Sequence, residues 1–184
     1  MALNPHCRVE IYALRLEAAN IREVMRGYDL VLDASDNFPT RFLVADCCWL
    51  ERIPLVSAAV AAFQGLLLVV DPGRGSPCYR CLVCEPPGIS PAEGILGAVA
   101  GVMGCLQAVE TVKLLLGRST NLAHECLSYD GLKCRFHTLK RTRAPQCPLC
   151  GENPSITGLT HHPPAAGDEA GSNPEAADPK DGSN

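Results

Sequence analysis

At 184 residues the chain has the length of one domain of ordinary size, enough to bury a core. Hydrophobic residues make up 47% of it and aromatic ones only 5%, so that core must be built from Leu, Val, Ala and Ile. A net charge of −4 excludes the basic footprint of a nucleic-acid binder or of a protein held on an anionic membrane. Met1 to His6 has neither the basic nor the apolar stretch of a signal peptide. The eleven cysteines, an odd number, are therefore read as reduced thiols of a cytoplasmic protein rather than as a disulfide framework.

Val9 to Tyr12 alternates like a short strand, and Ala18 to Arg26 is predicted as a helix. Tyr28-Asp-Leu-Val-Leu-Asp33 is a compact apolar run typical of a buried parallel strand. It breaks at Ala34-Ser35-Asp36-Asn37, where Asp36 or Asn37 is placed to cap the next helix and Pro39 suits its first turn. That helix runs to about Arg52, with Phe42, Ala45, Trp49 and Leu50 available for a core face. Strands follow at Pro54–Val60 and Gly65–Val70, and the strand–helix–strand order argues for an α/β domain with a parallel sheet flanked by helices.

Asp71 to Pro77 is rich in Gly and Pro, and Glu85 to Glu93 reads as a loop. The apolar run from Ile95 to Leu116 has nearly the length of a membrane span but carries Gln107, Glu110 and Lys113. Charged residues at its centre would each cost about 2.5–3.5 kcal/mol in lipid. The run is expected to be a helix buried in a soluble domain and stopped at Gly117. Cys126–Tyr129 and Arg135–Leu139 are predicted strands around a turn at Asp130-Gly131. From Gly158 onward the composition offers almost nothing to bury, so residues 1–157 are expected to form the domain and 158–184 a disordered tail. His161-His162 could touch a metal, but in such a tail it reads as no more than an exposed pair.

Two Cys-x-x-Cys knuckles, Cys78-Tyr-Arg-Cys81 and Cys147-Pro-Leu-Cys150, carry the clearest chemistry. Two residues between thiols let both sulfurs reach one ion, and two knuckles supply the four ligands of a tetrahedral, structural zinc. Residues 82–146 separate them, more than a zinc finger or ribbon allows, so such a site would pin the end of the domain onto its middle. Unrelated buried or redox thiols are the other reading. The carboxylate that stands out is Asp36, just beyond a predicted parallel strand, at the edge where open α/β sheets gather ligands. Beside Asn37, and one helical turn before Arg41, it could hold magnesium on a nucleotide's phosphates. Asp36 and Asn37 acting only as helix caps is the alternative, and Asp33 is open to the same two readings.

Several segments resemble one family in collinear order from about Leu3 to Leu159. Tyr28-Asp-Leu-Val-Leu-Asp-Ala-Ser-Asp36-Asn37-Phe-Pro-Thr-Arg41 is similar to the nucleotide-site segment of the ThiF/MoeB/HesA family, as is Pro77-Cys-Tyr-Arg-Cys81-Leu. The run Gly94-Ile-Leu-Gly through Glu110 and the closing Cys147-Pro-Leu-Cys150-Gly resemble it too, and Cys150 to Thr157 is most similar to MoeZ-type members that continue into a rhodanese domain. The resemblance implies a Rossmann-like ThiF fold, present in part, and an ATP-dependent adenylyltransferase. Such enzymes activate the C-terminal Gly-Gly carboxylate of a ubiquitin-fold sulfur-carrier protein of the ThiS or MoaD kind, for thiamin or molybdopterin synthesis. It further implies Asp36 as the magnesium/ATP aspartate, with Asn37 and Arg41 shaping its pocket. Cys78, Cys81, Cys147 and Cys150 become the structural zinc ligands, and the state a homodimer.

The departures are equally specific. No G-x-G-x-x-G occurs near the N-terminus, so the backbone phosphate cradle at a helix start is missing and the chain resembles the C-terminal two-thirds of a member. On its own it is expected not to form acyl-adenylate at a useful rate; a non-catalytic, zinc-stabilised binding or dimerisation module is the alternative. The thioester or persulfide cysteine of some members would fall at Ser90-Pro-Ala-Glu93, where there is no thiol. Cys84 is the nearest substitute, and its spacing from Cys81 also makes it a competitor for the metal. Cys47, Cys48 and Cys105 are expected to be buried packing residues.

Overall fold

Residues 55–56 and 67–70 are apolar without interruption, the pattern of strands covered on both faces, and they form the centre of a five-stranded sheet in the computed structural model, which describes residues 4–84 and 94–163. The sheet runs in the order β1 (Val31–Asp33), β2 (Leu55–Ala61), β3 (Gln64–Val70), β4 (Glu125–Asp130) and β5 (Arg135–Lys140). Alternate side chains go to opposite faces, as the strand period requires. Leu55, Leu68 and Val70 pack against α1 (Ile21–Met25) and α2 (Phe38–Leu50), whereas Val56, Leu67 and Val69 meet Val99 and Met103 of α3 (Gly97–Leu115).

The sheet is mixed rather than parallel. β1 and β2 pair parallel across the α2 crossover, but β2–β3, β3–β4 and β4–β5 are all antiparallel. For β2–β3 and β4–β5 the reason is loop length. Only Ala62 and Phe63 separate β2 from β3, and a connection that short can only reverse the chain. Ala62 takes φ +47° to make the turn. Gly131, at the β4–β5 turn, lies against Phe63, where a Cβ would come within 2.8 Å of the Phe63 carbonyl oxygen.

Three other expectations change. Val9–Tyr12 forms no strand: Val9 and Ile11 are exposed and have no strand partner among the described residues. The long apolar helix is buried on one face only. Val99, Met103, Gln107 and Glu110 of α3 face the sheet, and Val109, Val112 and Leu115 face outward, so the expected fully buried helix is a one-sided one. The packed region also continues past Ile156 and Thr157, the expected limit of the domain. Leu159 is buried in the same cluster as Phe42 and Val44, and His161 and His162 reach Asp46 of α2. Packing reaches this segment because the second cysteine knuckle delivers it beside α2, a tertiary constraint that composition does not report. Residues 164–184, and the predicted loop Glu85–Glu93 with Ser90–Glu93, lie outside the described residues.

Leu67 of β3 is fully buried between the sheet and α3. Leu67→Ala is expected to lower unfolding free energy by about 2–5 kcal/mol, the range for a core leucine truncated to alanine. Leu132→Ala, at a 72% exposed turn position, is expected to change it by no more than about 0.5 kcal/mol; urea titration of both variants checks the pair.

Candidate nucleotide site and four-cysteine centre

β1 ends at Asp33, and the chain leaves the sheet through Ala34, Ser35 and Asp36 into α2. This corner is held by a buried polar network. Asp33 accepts hydrogen bonds from the Ser35 N–H at 2.9 Å and hydroxyl at 2.6 Å, and from the Ser57 hydroxyl of β2 at 2.9 Å. Arg41, buried one turn into α2, lies 3.5 Å from the Asp33 carboxylate. It donates to the carbonyl oxygens of Ala58, at 2.7 Å, and Ser35. From the opposite face, Gln107 of α3 donates to the backbone oxygens of Asp33 and Val56, both at 2.9 Å. Each buried polar group at the corner therefore has a partner, which is the condition for a polar network to rigidify rather than destabilise.

The ambiguities in the sequence resolve into distinct positions. Asn37 is the cap: its side-chain oxygen accepts from the Thr40 N–H at 2.9 Å, satisfying one of the free donors at the start of α2. Its amide also donates to Asp36 at 3.1 Å. Asp36 itself is exposed, with its carboxylate beyond the sheet edge. Asp33 is structural and Arg41 is committed to Asp33, Ser35 and Ala58. A cavity of about 380 Å³ opens beside this loop, and its lining is mostly apolar, with Leu16, Met25, Leu30 and Val44. Asp33, Ser35 and Thr40 contribute polar groups, and Asp36 stands outside the lining. That volume lies in the lower range of small-molecule sites. Ser57 and Gln107 escaped the sequence reading as site residues; for Ser57 the signal was a lone polar residue inside an apolar strand, and for Gln107 a polar residue on the buried face of α3.

The two knuckles converge from the middle and the end of the domain. Cys78 sits just ahead of the single helical turn Tyr79–Cys81, and Cys147 and Cys150 follow from the far side of β5. The sulfur separations are 3.8 Å for Cys78–Cys81, 3.5 Å for Cys78–Cys147 and 3.3 Å for Cys81–Cys150, and all four sulfurs lie within 4.8 Å of one another. Four bonds of about 2.3 Å to a tetrahedral ion put sulfurs about 3.8 Å apart, so the cluster is of the size that zinc requires. Burial and the neighbouring thiols push Cys81 up to about 11 and Cys78 higher still. Such thiols give up their protons when a cation takes their place. The Ala144 N–H lies 3.4 Å from the Cys81 sulfur, and the N–H groups of Cys150 and Leu149 offset the effect of burial on Cys147.

Cys84 is exposed and outside the cluster, so it does not compete with the four. Cys47 and Cys48 are fully buried packing residues, as expected, but Cys105 is exposed because it falls on the outward face of α3. Arg141 is buried close by and donates to the carbonyl oxygens of Val69, Pro77 and Ala123, while its Nε and one terminal nitrogen are buried without hydrogen-bond partners. Burial draws its pKa down, and the thiols of Cys126, Cys81 and Cys78 oppose that shift.

The ThiF family model matches residues 1–149 of the chain. The adenylyltransferase and sulfurtransferase MOCS3 of Drosophila virilis is 42% identical over 168 residues, covering 86% of this chain and 36% of that protein. The sulfur carrier protein adenylyltransferase of Thermus thermophilus is 44% identical over 170 residues, covering 88% of this chain and 63% of its own length. Thus the chain spans between about a third and two thirds of the curated relatives it matches. Among solved structures, E. coli MccB with ATP superposes with a TM-score of 0.61 at 20% identity, covering 76% of this chain and 44% of that one, a likeness of fold.

Removing one partner from a buried ion pair leaves the other charge uncompensated, at a cost of about 3–5 kcal/mol. Arg41→Ala is therefore expected to destabilise the protein by that amount, because Asp33 is buried opposite it. Asp36→Ala, at an exposed carboxylate, is expected to stay within about 0.5 kcal/mol of the parent. Denaturant titration of the two variants separates the structural carboxylate from the one free to meet a ligand.

Proposed function

We propose that this chain, which belongs to the ThiF family, forms part of an ATP-dependent adenylyltransferase acting on a ubiquitin-fold sulfur-carrier protein. The reaction is attack of the carrier's C-terminal Gly-Gly carboxylate on the α-phosphorus of ATP. Pyrophosphate leaves and an acyl-adenylate remains, activated for sulfur transfer in thiamin or molybdopterin synthesis. The observation that carries this reading is an exposed Asp36 on a loop immobilised by Asp33, Arg41, Ser57 and Gln107, beside a cavity at the end of a parallel strand. Asp36 offers hard oxygen donors suited to magnesium, and magnesium supplies charge compensation on a nucleotide's phosphates. Asn37 orients Asp36 and begins α2, and Arg41 holds the loop from behind.

The four cysteines are the ligands of a structural zinc, which closes the domain and leaves no open coordination position for chemistry. The outward apolar face of α3, with Val109, Val112 and Leu115, supports assembly as a homodimer.

The sequence contains no G-x-G-x-x-G turn to anchor a triphosphate, so the activity is tested in two forms. Pyrophosphate exchange into ATP is measured with a Gly-Gly-ended carrier, for this chain alone and for this chain joined to the part of the Thermus thermophilus relative that it does not cover. Exchange is expected in the joined form only, and Asp36→Ala is expected to reduce it by about 10²–10³. Equal exchange by that variant overturns the assignment of Asp36. No exchange in either form, with carrier binding retained, identifies a non-catalytic module.

For the zinc, cobalt-loaded protein is expected to show strong thiolate-to-metal charge-transfer absorption. Cys147→Ser should lose that band together with cooperative unfolding, since a site of this type contributes on the order of 10 kcal/mol. An unchanged band or an unchanged transition overturns the ligand set.

A further inference from the structure

α2 buries an aspartate completely, an arrangement that requires compensating partners. Asp46 receives Arg80 from between the first pair of cysteines, with Nε 2.9 Å from Oδ1 and a terminal nitrogen 2.7 Å from Oδ2. Two more groups reach the same Oδ2 from the far end of the chain. His161 Nε2 and His162 Nε2 each lie 2.9 Å from it, and the two rings are 4.1 Å apart between centroids.

The tautomer of His161 is informative. Its Nδ1 lies 3.0 Å from the Gly158 carbonyl oxygen, an acceptor, so Nδ1 carries the hydrogen. In the neutral ring Nε2 then presents a lone pair toward the Asp46 carboxylate, where the Arg80 terminal nitrogen meets it at 3.3 Å, so the ring nitrogen and the carboxylate oxygen already share one cation and a metal ion would take that cation's place. Backbone anchoring of one ring nitrogen is also how proteins aim the other at a metal.

We propose that Asp46, His161 and His162 form a second metal centre, for a divalent first-row transition ion such as zinc, separate from the four-cysteine cluster. All three donor atoms lie within 4.8 Å of one another. With bonds of about 2.0–2.2 Å, a tetrahedral ion puts its donors about 3.4 Å apart, so the two histidines move out by about 0.5 Å to admit it. His161, whose side chain is 32% exposed, has room to do so and leaves the fourth position to solvent. Arg80 retains Oδ1 through Nε, and the ion displaces its hold on Oδ2 and on His161 Nε2. That competition makes this site weaker than the tetrathiolate. Two imidazoles and one carboxylate suit zinc, cobalt or nickel rather than calcium or magnesium.

Zinc and cobalt are the probes. Wild-type protein equilibrated with zinc is expected to retain one equivalent more than the His161→Ala/His162→Ala double variant. The thiolate-to-cobalt charge-transfer band should be the same in both, showing that the cysteine site and the fold around it survive. Equal zinc content with that band intact overturns the proposal. His161→Ala alone, which removes an exposed side chain, is expected to weaken binding of the second equivalent at least about tenfold. Should the double variant lose the band through misfolding, the wild type decides the matter. A second equivalent of cobalt is expected to add visible ligand-field absorption without further charge transfer, and a spectrum of free aqueous cobalt for that equivalent overturns the site.

Discussion

Four sulfurs meeting at one point are the constraint from which much of the architecture follows. Cys78 and Cys81 stand shortly after β3, and Cys147 and Cys150 shortly after β5. Bringing them together closes a long loop of chain, and the entropic cost of that closure has to be met by bonds at the junction. The junction also recruits Trp49 and Leu50 from the end of α2, so one helix bridges the sheet and the cysteine cluster. The segment after Cys150 is thereby delivered to the outer side of α2, where Leu159 enters the core and the two histidines find Asp46.

A second constraint acts at the other end of α2. Asp33 and Arg41 are both buried, and a buried ion pair is tolerated only when its remaining donors and acceptors are satisfied. Ser35, Ser57 and Ala58 provide that satisfaction from a loop and a strand, while Gln107 of the helix on the far face pins the backbone of Asp33 and Val56. The consequence for function is indirect. None of these groups is free to bind a ligand, but together they prevent the loop bearing Asp36 from moving, and a carboxylate held in place is a better ion ligand than one that must be ordered on binding.

α2 thus carries its two roles at opposite ends. Asn37 and Arg41 set the loop at the sheet edge, while Asp46, Trp49 and Leu50 address the cysteine cluster and the C-terminal segment. Position along a single helix of thirteen residues separates a candidate nucleotide corner from two candidate metal centres. The stability of each therefore bears on the others, because all of them use the same rigid element.

The sequence by itself determined the features that rest on local chemistry. The two-residue spacing of the knuckles, a helix start at Asp36-Asn37 with Pro39 behind it, the apolar strands and the hairpin turn at Asp130-Gly131 are all read within a few neighbouring residues, and the structure settled the cap on Asn37. Tertiary structure alone decided the rest. Periodicity says that a strand is buried but not which way its neighbour runs, and the antiparallel pairing of β2 with β3 followed from a two-residue connection whose meaning depends on where the strands end. The outward face of α3 was invisible for a related reason: an apolar helix in sequence carries no record of how much of it the sheet covers. Arg41 looked like a free cation one turn from Asp36, and Asp33 and two carbonyls claimed it. His162 and Asp46 stand 116 residues apart, and no local pattern links them. Hydrogen bonds and ion pairs across such distances exist only once hydrophobic burial has placed the elements, so they belong to the folded chain rather than to its sequence motifs.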